Sequence, residues 1–122
     1  MKTLALILVA AATLGSRILF AQGCLPEGIT FENQEQIDNF QANYPGCTEI
    51  EGDVMIFGSN ITNIDGLNIL TSIGGNLTIT ENVTLINLTG LENLNTVGGG
   101  FYIDFNNSLT DLAGLENLTS IN

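Results

Sequence analysis

From Ile50 onward the apolar positions of the chain fall into a pattern that repeats along the sequence. Units open at Ile50, Ile73 and Val97, and a fourth opens at Ile121, so the period is 23, then 24, then 24 residues. Each unit starts with an aliphatic residue closely followed by glycine, as in Ile50-Glu51-Gly52, Ile73-Gly74-Gly75 and Val97-Gly98-Gly99. A short alternating stretch comes next: Val54-Met55-Ile56, Leu77-Thr78-Ile79 and Phe101-Tyr102-Ile103. Alternation of this kind predicts strands whose outer two residues point one way and whose middle residue points the other. After an Asn-containing turn, apolar residues recur at every third place: Ile61, Ile64, Leu67, Leu70, then Leu85, Leu88, Leu91, Leu94, then Leu109, Leu112, Leu115, Leu118. Neither a helix nor a long strand has that spacing. A chain that bends repeatedly around an axis, broken by Gly66, Gly90 and Gly114, drops one aliphatic side chain inward at each step.

The expected fold is therefore mainly β, a short solenoid with coils of about 24 residues. One coil buries too little apolar surface to offset the entropy of ordering it, so several must stack and share their interior. The segment before the repeats, residues 22–49, is expected to cap the stack. Thr30-Phe31 ends a short strand there, Asn33 is a suitable N-cap, and Gln34 to Ala42 form a helix with Ile37 and Phe40 on one side before Pro45-Gly46 stops it. The repeats occupy residues 50–122. Because Ile121-Asn122 opens a further unit, the array is expected to be incomplete, its last coil packing on another repeat or on a second chain.

The first 21 residues change the picture by placing the protein outside the cell. Met1-Lys2 supplies a positive start, Leu4 to Leu14 an apolar run, and Leu19-Phe20-Ala21 a small-residue cleavage site, the pattern of a signal peptide. The run is about half the ~20 residues needed to span a bilayer, so no transmembrane segment is expected. Ala21-Gln22-Gly23-Cys24 loosely resembles a lipobox, which leaves a lipid anchor at Cys24 as the weaker alternative to a free secreted or cell-surface protein. In an oxidising compartment Cys24 and Cys47 are expected to pair. Lys2 and Arg17, the only basic residues, both lie in the leader, and there is no His, so the chain beyond it carries 13 carboxylates and no basic side chain. Such a charge repels phosphate and anionic lipid, and nucleic acid is excluded as a partner.

The order Cys24, capping helix, Asn43-Tyr44-Pro45-Gly46-Cys47-Thr48-Glu49-Ile50-Glu51-Gly52-Asp53-Val54, followed by Gly-Leu-Glu-Asn-Leu at 90–94 and 114–118, resembles the receptor L-domain family, and within it the bacterial exported proteins with leucine-rich-repeat-like arrays. The resemblance covers residues 24–122. It implies a right-handed single-chain β-helix, and in the animal receptors of that family paired domains hold peptide ligands on the outer face of a sheet. This chain differs in having one Cys pair, no Trp and very regular coils, and no binding residue carries over one by one.

Catalytic chemistry finds little footing. Without His, neither a Ser-His-Asp nor a Cys-His arrangement can form, and a zinc site is left with carboxylates and two sulfurs expected to be bridged. Gly98-Gly99-Gly100 lacks the lysine and helix of a phosphate loop. Asp104, Asn106 and Ser108 set oxygens at alternate positions but lack the glycine and closing glutamate of a calcium loop. Glu92 and Glu116 share one place in successive coils, and such a pair can serve a glycosidase; residues fixed by the repeat are more simply scaffold. No metal, cofactor or enzymatic activity is expected. Six Asn-x-Ser/Thr sequons, at Asn60, Asn76, Asn82, Asn87, Asn106 and Asn117, are either glycan acceptors or a by-product of an Asn- and Thr-rich repeat.

Outward strand positions that differ between coils are free to specialise: Met55 and Phe57, Thr78 and Thr80, Tyr102 and Asp104. These six are the expected ligand-binding residues, and the partner an extracellular protein, peptide or glycan. The alternative is a structural or adhesive segment of a longer surface protein without a dedicated ligand.

Overall fold

The computed structural model describes residues 22–122; the leader expected over residues 1–21 lies outside the described residues. Among the described residues nine strands form: β1 (Gln22–Cys24), β2 (Ile29–Phe31), β3 (Cys47–Ile50), β4 (Val54–Ile56), β5 (Ser72–Ile73), β6 (Leu77–Thr80), β7 (Thr96–Val97), β8 (Phe101–Asp104) and β9 (Ser120–Ile121). They sort into two parallel sheets. One runs β9-β7-β5-β3-β1, the other β2-β4-β6-β8. Each strand pairs with its counterpart one unit away, so equivalent residues lie side by side: Ile50 with Ile73 with Val97, and Val54 with Leu77 with Phe101. The alternating triplets form the second sheet as expected. The first sheet was not foreseen, because its strands are as short as two residues.

The interior is a set of aliphatic rows. Ile61, Ile64, Leu67 and Leu70 of one unit and Leu85, Leu88, Leu91 and Leu94 of the next are fully buried, joined by Val54, Ile56, Leu77 and Ile79. Spacing by three works because the chain turns between these residues, with 3-10 turns at Asp65–Leu67 and Thr89–Leu91. Gly90 stands where the units touch; a methyl there would overlap the Ile64 carbonyl oxygen. In the last unit Leu109, Leu115 and Leu118 are half-buried and Leu112 is exposed, since a neighbouring unit covers them on one side only.

Asp and Asn side chains lock one unit to the next at both ends of the strand row. At the near end Asp53 Oδ1 accepts from Asn76 N–H (2.8 Å), and Asn76 Oδ1 accepts from Gly100 N–H (2.7 Å). At the far end the direction reverses: Asn82 Oδ1 accepts from Gly58 N–H (2.8 Å) and Asn106 Oδ1 from Asn82 N–H (3.0 Å). This second ladder locates the change of period. Ile56 and Gly58 are separated by Phe57 alone, whereas Ile79 and Asn82 enclose Thr80 and Glu81, and Ile103 and Asn106 enclose Asp104 and Phe105. The extra residues, Glu81 (φ 57°) and Phe105 (φ 54°), take left-handed backbone, which absorbs one residue without disturbing the strand register.

The segment before the repeats holds two short helices rather than the single helix expected over Gln34 to Ala42: α1 (Gln34–Asp38) and α2 (Phe40–Asn43), parted at Asn39. A nine-residue helix is marginal by itself, and Asn is a poor interior residue for it; Ile37 and Phe40, on either side of the break, both reach the core, where Phe40 meets Phe31 edge to face at 5.6 Å. Asn33 caps α1 as expected, its side chain accepting from Gln36 N–H. Cys24 and Cys47 form a disulfide with 5.7 Å between their Cα atoms.

Candidate ligand-binding face

Because successive strand residues point to opposite faces, burying Val54, Ile56, Leu77 and Ile79 turns Met55 and Thr78 outward. The register then aligns Thr30, Met55, Thr78 and Tyr102 in one row across all four strands of the second sheet. Met55 is 40% and Tyr102 56% exposed, with Thr78 half-buried between them. Thr80 pairs with Asp104 in a shorter row beside it. Five of the six residues singled out from the sequence therefore share one sheet face, with Thr30 added.

Phe57 is the sixth, and the structure sets it apart. Strand β4 ends at Ile56, and Phe57, 42% exposed, lies in the turn beyond. It lines an open groove of 720 Å³ with Glu32, Glu81, Val83 and Phe105. Nothing within any one unit marks this groove, since its members come from four different turns.

Other candidates are absorbed by the scaffold. Asn106, the centre of the calcium-like triplet, accepts from Asn82 and donates to the Ile79 carbonyl, while Ser108 Oγ donates to the Val83 carbonyl. Among the described residues no cluster of three or more His, Cys, Asp or Glu is arranged to hold a metal ion. Glu92 and Glu116 are exposed, and Glu116 turns back to accept from Gly114 N–H. The sequon amides do structural duty as well: Asn82, Asn106 and Asn117 donate from Nδ2 to backbone carbonyls, and Asn60, Asn76 and Asn87 accept from backbone N–H groups through Oδ1.

No helix among the described residues is long and apolar enough to cross a membrane. No curated protein and no solved structure matches the chain. The family model of the receptor L domain matches residues 46–122, the stretch that holds every repeat and most of the exposed row. Parallel pairing at a 23- to 24-residue period, a Cys24–Cys47 bridge ahead of it and that match agree, and the chain belongs to the receptor L domain family.

Proposed function

We propose that this protein is an extracellular binding module, secreted or held at the cell surface, that recognises a peptide, protein or glycan reversibly. The observation that carries this reading is the row Met55, Thr78, Tyr102, which varies in chemistry on a backbone that otherwise repeats. Side chains fixed by the repeat hold the fold; those free to vary on a rigid exposed surface suit recognition. Membership of the receptor L domain family supports the same reading, and a disulfide fits an oxidising compartment.

In this proposal residues 1–21 are a removed leader, residues 22–49 cap the stack, and residues 50–122 wind as a solenoid. Right-handed winding accords with the strong preference of parallel crossovers within one sheet. Met55, Thr78, Thr80, Tyr102 and Asp104 form the contact face, with Phe57 at its edge. The second reading, a structural or adhesive segment, draws on the exposed apolar side chains Leu112 and Ile121.

The test is capture on peptide and glycan arrays followed by affinity measurement of Tyr102→Ala and Met55→Ser. Both are exposed, so the far-ultraviolet spectrum should be unchanged while affinity falls about fivefold or more, as when an aromatic anchor is removed. Undiminished affinity in both variants rules the row out as the contact face.

A further inference from the structure

Beyond the ends of the second sheet's strands, four successive turns contribute Glu32, Phe57, Glu81 and Phe105 to the 720 Å³ groove. Their order along the stack is acid, ring, acid, ring. Both rings face solvent, Phe57 at 42% and Phe105 at 69% exposure, and both carboxylates are exposed. With strands about 4.8 Å apart, the two acids stand about 10 Å from each other with one ring between them.

We propose that this groove seats an extended peptide segment bearing arginine or lysine, its cationic groups lying over Phe57 and Phe105 and paired with Glu32 and Glu81. The proposal rests on the reading of the chain as a binding module and adds a second contact surface with a stated partner chemistry. A cation over a phenyl ring is drawn by the negative face of the π system, and a neighbouring carboxylate strengthens the attraction. An extended polyproline-type strand advances about 9 Å in three residues, which matches the spacing of the acids. Charge argues for this occupant and against a second copy of the chain: residues 22–122 carry 13 carboxylates and no Lys, Arg or His, so two copies repel at such a groove.

The probe is a fluorescein-labelled Arg-Pro-Pro-Arg-Pro-Pro-Arg peptide, followed by anisotropy, with the Gln-for-Arg peptide and labelled maltoheptaose as controls. The Arg peptide should bind, the Gln peptide should not, and binding should weaken as salt rises from about 0.02 M to about 0.3 M. Replacing both acids, Glu32→Gln with Glu81→Gln, should weaken it about tenfold, and Phe57→Ser with Phe105→Ser about as much. A charge-matched control, Glu92→Gln with Glu116→Gln, should bind as the unaltered protein does. Equal weakening in that control overturns the proposal, because attraction to net charge then suffices. Binding of maltoheptaose and not of the Arg peptide overturns it in favour of a glycan. Loss of peptide binding in Tyr102→Ala with the groove variants unaffected also overturns it, while leaving the strand-row reading in place.

Discussion

Asn82 is the residue on which neighbouring units depend most. It is the one fully buried polar side chain among the described residues, and it meets three partners: it accepts from Gly58 N–H, and it donates to the Ile56 carbonyl and to Asn106 Oδ1. Replacing it with Ala strands a buried N–H and a buried C=O at once. Each unsatisfied group costs about 1–3 kcal/mol, so Asn82→Ala should lower the unfolding free energy by about 2–4 kcal/mol in urea titration. A loss below about 0.5 kcal/mol would mean that the amide bonds contribute nothing to the stack. In the sequence Asn82 and Asn106 read equally well as turn residues or sequons. Their ladder was hidden because it joins residues 24 apart, and the first unit fills the position with Gly58, which has no side chain and only donates its backbone N–H to Asn82 Oδ1. The contrast with the aliphatic rows is physical: burial leaves a periodic mark on composition, whereas one amide per unit does not.

Single elements here are too short to stand alone. Strands of two to four residues and helices of four and five are far below what is stable in isolation. They persist because parallel pairing and the shared interior hold them, and at the first unit because the disulfide ties β1 to β3. The double replacement Cys24→Ser with Cys47→Ser should therefore cost about 2–4 kcal/mol, read as a lower urea midpoint, with the repeats still giving a β-type spectrum. An unchanged midpoint would show that pairing of β1 with β3 suffices without the bridge. The alternating triplets of β4, β6 and β8 were legible from the sequence because three residues already display which face is apolar. Ser72–Ile73 and Thr96–Val97 display no alternation, so the sheet they build emerges only when units are laid side by side. The break at Asn39 was equally out of reach, because Ile37 and Phe40 keep the same apolar spacing whether or not the helix is continuous.

Taken whole, the molecule joins a repeating interior to a surface that does not repeat. The period made the parallel stack legible, and the strand register then placed Met55, Thr78 and Tyr102 together as the outward triplets implied. The groove of Glu32, Phe57, Glu81 and Phe105 was not legible, because spacings of 25, 24 and 24 residues gain meaning only once the turns align. Both proposed surfaces depend on in-register pairing one unit apart, and nuclear Overhauser contacts test that pairing most directly. Backbone contacts should join the Val54 strand to Leu77 and the Leu77 strand to Phe101, with Met55, Thr78 and Tyr102 as consecutive neighbours. Antiparallel contacts between adjacent segments, or a register displaced by one residue that turns Tyr102 inward, would contradict the account.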